Sequence, residues 1–244
     1  MTGLYRALLA VAAYYAILVI ATVLHFRIGQ APSDTGAVLM ALLPVQIALF
    51  LLCVVVLRSF GWRSVGFGRF RPAGAIWLLP SIAVMALMLG ALLPQLSGIA
   101  MPPRMVLLLI AVPLLIGVTE EIMFRGVLLR AAMTRLPLFG AMLLSAVLFA
   151  LMHGIIGIGG QPVLITLQQM GFAFLVGIFL APIAIASGTL WVVIIWHGVW
   201  DMLVYASQMA GIVHHFALIG IMIQTLVSVW LWARLVRADQ RDTS

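Results

Sequence analysis

Long apolar runs dominate this sequence, and each is about as long as a bilayer is thick when it coils as a helix. Eight runs can be drawn, at 4–24, 37–57, 73–96, 105–129, 138–153, 163–185, 189–209 and 212–235. A helix of about 20 residues rises about 30 Å, the thickness of the hydrocarbon core. The runs are continuously apolar, whereas barrel strands alternate. The sequence therefore predicts an all-α, polytopic membrane protein, a bundle of about eight transmembrane helices.

The placement of the basic residues predicts the orientation of this bundle. The chain is 8% charged, and its 13 basic residues are all arginines. With both termini cytoplasmic, ten of them face the cytoplasm, as the positive-inside rule requires. These ten are Arg6, Arg58, Arg63, Arg69, Arg71, Arg130, Arg135, Arg234, Arg237 and Arg241. Arg27 and Arg104 then face outward. Because this pattern accounts for the net charge of +7, we expect a plasma-membrane protein in contact with the lipid bilayer and no nucleic-acid partner.

Two adjacent glutamates interrupt the fourth apolar run. Glu120 and Glu121 are the only glutamates in the chain, and a charge at the centre of a membrane helix costs roughly 2.5–3.5 kcal/mol on insertion scales. Arg125 lies four residues after Glu121, so the two side chains share a helix face and can pair. Such a pair also suits a purely structural role in helix packing. Glu120 lies about 100° around the helix, so it needs another partner or a chemical task.

Further polar residues fall on two other helices. His153 ends the fifth run, and His197 and Asp201 lie four residues apart on one face of the seventh. A histidine at a helix end is often a packing residue, so His153 taken alone carries little weight. Each of these groups would be costly alone in lipid, and each becomes tolerable if all of them meet. We therefore expect one polar cavity between three helices.

The chemistry that suits this set of residues is hydrolysis without a covalent nucleophile. A carboxylate near a histidine in a wet membrane cavity can activate water as a general base, and nearby donors can hold an oxyanion. The chain contains no His-Glu-x-x-His motif, no second intramembrane aspartate and no Gly-x-Ser-Gly sequence. Cys53 is the single cysteine, which excludes an internal disulfide and a cysteine metal cluster.

Three short motifs in this order resemble those of the CPBP family, which comprises membrane proteins similar to CAAX prenyl endopeptidases and bacteriocin-processing proteins and is also called Abi. The motifs are Glu120-Glu121-x-x-x-Arg125, Phe149-x-x-x-His153 and His197-x-x-x-Asp201. The resemblance implies an intramembrane, metal-independent glutamic endopeptidase with no cofactor. It also implies a membrane-associated peptide or protein as substrate, and we expect a bacterial plasma membrane as its location.

The same resemblance implies a role for each matching residue. Glu120 would activate the hydrolytic water, and Glu121 and Arg125 would support it. His153 and His197 would bind or polarise water and substrate. Asp201 stands where the family often has Asn, which is thought to stabilise the oxyanion. An Asn always offers N–H donors, whereas an Asp donates only when it is protonated. Asp201 could instead orient His197 or help to bind a cation such as zinc.

Two other functions stay open at this point. Intramembrane Glu, His and Arg also form proton relays, so a proton-coupled transporter is one alternative. A non-catalytic bacteriocin-immunity or scaffold protein on the same fold is the other. We divide the chain into helices 1–3 with their connections at 1–104, a catalytic core of helices 4–7 at 105–210, and the last helix with a cytoplasmic tail at 211–244.

Overall fold

The computed structural model describes residues 3–28, 34–96, 98, 101–213 and 215–243, and no β-strand occurs among them. The first half contains α1 (Gly3–Thr22) with a π-helical turn at Val23–Ile28, α2 (Thr35–Phe60), the short α3 (Pro72–Ala75) and α4 (Leu79–Leu96). A 3₁₀ turn at Ile76–Leu78 joins α3 to α4. The side chain of Arg27 and the whole of His214, inside the eighth predicted run, lie outside the described residues.

The second half begins with a long, nearly continuous helical segment. It consists of α5 (Pro103–Glu121), a π-helical stretch (Ile122–Leu128) and α6 (Leu129–Ala132). Then follow α7 (Leu138–His153) with a 3₁₀ turn at Gly154–Gly159, α8 (Val163–Ala186), α9 (Trp191–Met209) and α10 (His215–Thr243). The predicted all-α architecture is therefore confirmed.

Seven helical stretches among the described residues are long and apolar enough to cross a bilayer. They are Gly3–His25, Thr35–Phe60, Pro72–Leu96, Pro103–Ala132, Leu138–Gly159, Val163–Ala186 and Ala217–Arg241. The seventh predicted run forms α9, which is not among these seven. Its polar residues, which include His197, Asp201 and Gln208, lower its mean hydropathy. The chain is thus an integral membrane protein in which one helix of the bundle is markedly more polar than the rest.

Close packing of α5 against α9 sets the position of the polar residues. A Cβ atom on Gly117 would lie 2.7 Å from the carbonyl oxygen of Ile194, and one on Gly198 would lie 3.1 Å from Cα of Leu114. Neither site has room for a side chain, so each glycine admits the backbone of the opposite helix. Trp196 fixes α9 from another side, because its Nε1–H donates to Oγ of Ser81 on α4 at 2.8 Å. Glu120 follows Gly117 by one turn, and His197 directly precedes Gly198. The close approach of the helices at these glycines therefore brings Glu120 and His197 together.

Candidate active site

The two glutamates lie where α5 changes its helical pitch. Glu120 and Glu121 end α5, and the π-helical stretch that follows carries Arg125. Such widened turns inside helices occur often at functional sites. All residues from Thr119 to Leu129 are buried, and Glu121 and Arg125 are both 0% exposed. The structure therefore holds three ionisable groups inside the bundle within six residues.

Glu121 and Arg125 form the ion pair that their spacing predicts. Nη1 of Arg125 lies 3.0 Å from Oε1 of Glu121. The alignment is too poor for a hydrogen bond, since Nε, Nη1 and Nη2 of Arg125 all lack a hydrogen-bond partner. The guanidinium also lies over the ring of Phe149, 4.0 Å from its centroid, which is close enough for a cation–π interaction. Arg125 thus links the π-helical stretch to α7.

His197 is fixed by Glu121. Its Nδ1 lies 2.8 Å from Oε1 of Glu121, and Nδ1–H donates because the carboxylate accepts. That bond sets the tautomer of a neutral ring, so Nε2 carries the free lone pair. Nε2 lies 3.7 Å from Oε2 of Glu120 and also 3.7 Å from Oδ2 of Asp201. Both distances are too long for a hydrogen bond and suit groups that share a bridging water.

His153 is positioned by its own helix. Its Nδ1 donates to the backbone oxygen of Phe149 at 2.9 Å, so Nε2 of the neutral ring is free to accept. The ring packs edge-on against Phe149, with centroids 4.9 Å apart, and Phe149 in turn packs against His197 at 6.0 Å. Phe149 therefore lies between the two histidines and beneath Arg125.

His153, His197 and Asp201 line one cavity of about 510 Å³. Its wall is mostly apolar and aromatic, with Trp196 and Trp200 stacked 5.4 Å apart. Glu120, Glu121 and Arg125 do not line it, and Oε2 of Glu120 lies 3.7 Å from Nε2 of His197, which does. The structure thus brings the six predicted residues into one contiguous group in which three line the cavity.

Glu120 keeps one oxygen without a hydrogen-bond partner. Its Oε2 is buried and unpaired, and it faces Nε2 of His197. Buried polar atoms in proteins are nearly always paired, with protein or with water. Water is the simplest group that could pair this buried oxygen, which faces Nε2 of His197.

Sequence reasoning missed a buried hydrogen-bond network beside Glu120. The hydroxyl of Thr119 donates to Oε1 of Gln46 on α2 at 3.0 Å and lies 3.2 Å from the hydroxyl of Tyr14 on α1. The backbone oxygen of Thr119 accepts from Sγ of Cys53 at 3.6 Å. These contacts tie the end of α5 to the first two helices. Gln46 inside an apolar run is the one signal that the sequence offered.

The part of the chain that the structure describes contains no ready set of metal ligands. No three His, Cys, Asp or Glu side chains there are grouped so that they could hold a metal ion. Oε1 of Glu121 already lies beside the guanidinium of Arg125 and accepts from His197, which leaves that oxygen unsuited to a second cation.

Comparison with known protein families identifies the segment that contains this site. Residues 102–203, about two fifths of the chain, match the family described as type II CAAX prenyl endopeptidase Rce1-like. The match includes Glu120, His153, His197 and Asp201. Comparison of the chain with curated proteins and with solved structures gives no match. The segment that carries the candidate active site is therefore similar to the Rce1-like type II CAAX prenyl endopeptidases, which confirms the resemblance predicted from its three motifs.

Proposed function

We propose that this chain is an intramembrane glutamic endopeptidase in which Glu120 activates the hydrolytic water. The observation that carries the proposal is the environment of His197 Nε2. It faces Oε2 of Glu120 and Oδ2 of Asp201 at 3.7 Å each, while Nδ1 is fixed by Glu121. A water held between Glu120 and His197 would lie at the wall of the cavity where a peptide can enter.

The reaction balances with Glu120 as general base and then as general acid. The water oxygen attacks the carbonyl carbon of the scissile bond while one water proton passes to Glu120. The carbonyl electrons move onto oxygen and give a tetrahedral oxyanion. When the C=O bond re-forms, the C–N bond breaks and the proton on Glu120 passes to the leaving nitrogen. General acid–base catalysis of this kind contributes about 10²–10⁴ in rate.

Glu121 and Arg125 act as positioning residues in this proposal. Glu121 keeps Nδ1 of His197 protonated and turns Nε2 toward Glu120. Arg125 compensates the buried charge of Glu121 and rests on Phe149. Since neither residue lines the cavity, neither is expected to touch the substrate.

In this proposal His153 and Asp201 bind the substrate carbonyl. Both line the cavity, and Nε2 of His153 is free because Nδ1 is held by Phe149. A protonated His153 or a protonated Asp201 can donate a hydrogen bond to the oxyanion. Donation from Asp201 requires its proton, whereas the Asn that the family often has at this position donates at every pH.

We propose that catalysis does not require a metal. A metal ion at Glu121 would lie beside the guanidinium of Arg125, which is 3.0 Å from that carboxylate, and like charges at such a distance repel strongly in a buried site. The alternative of a zinc ion held by His153, His197 and carboxylates is tested by chelation.

The cavity supports a substrate with apolar side chains or an apolar anchor. It combines a few polar groups with aromatic walls formed by Phe149, Phe172, Trp196 and Trp200, as sites for apolar ligands usually do. We propose a membrane-associated peptide or protein, cleaved near the membrane border, in a bacterial plasma membrane. The catalytic core would be 105–210, with the first three helices supporting it through Tyr14, Gln46 and Ser81.

Contacts between arginine-rich regions support cytoplasmic termini. Nη2 of Arg6 donates to the backbone oxygen of Ser59 at 3.1 Å, which brings the start of α1 beside the end of α2. Arg63, Arg71 and Arg130 line one cavity. Four of the basic residues that we expect to be cytoplasmic, Arg6, Arg63, Arg71 and Arg130, therefore lie at the same end of the bundle.

The proposal is tested with the purified full chain in proteoliposomes. The substrates are membrane-anchored peptides, including a farnesylated peptide with a C-terminal CAAX sequence and its unprenylated form, and products are identified by mass spectrometry. We expect cleavage that persists in the presence of a zinc chelator and is abolished in a Glu120→Ala/His197→Ala double variant. Cleavage that the chelator abolishes and zinc restores would overturn the metal-independent mechanism, and equal cleavage by the double variant would overturn the site.

A further inference from the structure

A second polar cavity lies at the end of the bundle where α2 and α8 finish. The connection after α2 packs against the connection between α8 and α9, since Leu190 N–H donates to the Gly66 oxygen at 3.0 Å and Arg71 N–H donates to the Ser187 oxygen at 2.8 Å. Between them is a cavity of about 140 Å³. A water molecule takes about 30 Å³ in the liquid, so a tetrahedral anion fits here.

Three arginines line this cavity: Arg63, Arg71 and Arg130. Arg130 is the best fixed of them, because its Nη2 donates to the backbone oxygen of Ala184 at 3.1 Å. Its Nε is buried and has no hydrogen-bond partner. A buried guanidinium N–H without a partner is costly, so the protein leaves part of the hydrogen-bonding capacity of Arg130 unsatisfied.

Two glycines with positive φ make room for the guanidinium groups. Gly66 has φ +101°, and a Cβ atom there would lie 3.2 Å from Nε of Arg130. Gly188 has φ +72°, and a Cβ atom there would lie 2.5 Å from the backbone oxygen of Arg69 and 3.2 Å from Nε of Arg71. Side chains at these positions would press on the two arginines, and positive φ disfavours every residue but glycine. The absence of a side chain at Gly66 and Gly188 thus leaves space for the guanidinium groups of Arg130 and Arg71.

Acidic side chains do not neutralise this cluster in the part of the chain that the structure describes. None of the ion pairs found there involves Arg63, Arg71 or Arg130. Of the six acids in the sequence, three belong to the candidate active site and Asp34 caps α2. The other two are in α10. Three cationic groups around one small cavity therefore favour an anionic ligand.

Exposed aromatic residues surround the same connection. Trp62 stacks on Phe67 with ring centroids 3.8 Å apart, and Trp191 packs 5.2 Å from Phe67. Trp62 is 50% exposed and Trp191 47% exposed. Tryptophans at the ends of membrane helices lie at the level of the lipid headgroups, which places the cavity at that level.

We propose that Arg63, Arg71 and Arg130 form a binding site for a phosphate group at the membrane border, distinct from the cavity of the candidate active site. The phosphate belongs to an anionic phospholipid headgroup or to free phosphate, which share the same recognition chemistry. Guanidinium groups bind phosphate through charge-assisted, often bidentate hydrogen bonds. The site does not depend on any proteolytic activity of the chain.

The test measures ligand binding to the detergent-solubilised full chain. The probes are dioctanoylphosphatidylglycerol, dioctanoylglycerol without phosphate, and inorganic phosphate. The variant is Arg63→Gln/Arg71→Gln, whose two side chains are exposed, so its fold is expected to survive. Arg135→Gln is the matched control, since Arg135 is exposed and lines none of the cavities described here.

We expect the double variant to bind the phosphorylated probe at least about tenfold more weakly than the wild type, since it loses up to two charge-assisted bonds and each is worth about tenfold or more. Arg135→Gln is expected to bind as the wild type does. If phosphatidylglycerol binds much more tightly than inorganic phosphate, the ligand is the headgroup; similar affinities identify free phosphate. Equal affinity of the double variant and Arg135→Gln, or equal binding of dioctanoylglycerol and phosphatidylglycerol, would overturn the proposal.

Discussion

His197 on α9 donates a hydrogen bond from Nδ1 to Oε1 of Glu121 on α5, at 2.8 Å. The same carboxylate oxygen lies 3.0 Å from Nη1 of Arg125. One oxygen atom therefore accepts the hydrogen bond that orients the imidazole and also forms the ion pair with the buried guanidinium. The two adjacent glutamates therefore differ in their partners: Glu121 is held by His197 and Arg125, whereas Oε2 of Glu120 faces Nε2 of His197 at 3.7 Å without a hydrogen bond.

Replacing Glu121 with Gln should destabilise the fold more than replacing Glu120. The substitution leaves Arg125 as a buried charge without its counter-ion, and breaking one side of a buried ion pair costs roughly 3–5 kcal/mol. Glu120→Gln removes a charge that has no such partner, so its cost should be smaller. Thermal or denaturant unfolding in detergent measures both. A smaller loss in Glu121→Gln than in Glu120→Gln would contradict the assignment of Glu121 as the positioning residue.

Adding a methyl group at Gly117 should weaken the contact between α5 and α9. The new Cβ would lie 2.7 Å from the Ile194 oxygen, and overpacking of this kind typically costs about 1–3 kcal/mol. The helices must separate, so Glu120 should lose its position relative to His197. We expect Gly117→Ala to lower both the unfolding temperature and any peptidase activity.

Gly171 provides the matched control for that substitution. It lies within α8, where an added Cβ meets nothing within 4 Å. Alanine in an open helical position is more stable than glycine by roughly 0.5–1 kcal/mol, so Gly171→Ala should leave stability unchanged or raise it. Equal behaviour of the two variants would show that close approach at Gly117 does not matter.

Asp201→Asn should change how activity depends on pH. Asp201 can donate a hydrogen bond only when it is protonated, so an oxyanion role for it is lost as pH rises. Asn donates at every pH, and its activity should persist at alkaline pH where the wild type declines. We expect Asp201→Ala to be weak at every pH. A high-pH decline that is identical in the wild type and in Asp201→Asn would exclude the oxyanion role.

The local sequence predicts where most of the helices lie, but it does not predict the contacts between them. The run predicted at 138–153 coincides with α7 (Leu138–His153), because a run of apolar residues is a local property. The proximity of Glu121, Arg125 and His197 also follows, since isolated charges in lipid must find partners. The sequence does not predict the π-helical stretch, for which it carries no local signal. It also does not predict the contacts of Gly117 and Tyr14, which depend on how helices remote in sequence pack against each other.

The role of Glu120 can be tested most directly by single-turnover peptide cleavage in proteoliposomes. Wild type and Glu120→Gln are compared at the same concentration of folded protein. Asp239→Asn, a charge change on α10 remote in sequence from the candidate site, is the control. Since general base catalysis contributes about 10²–10⁴, we expect Glu120→Gln to cleave at least about 100-fold more slowly while Asp239→Asn cleaves at the wild-type rate. Equal rates for wild type and Glu120→Gln would contradict the assignment of Glu120 as the residue that activates water.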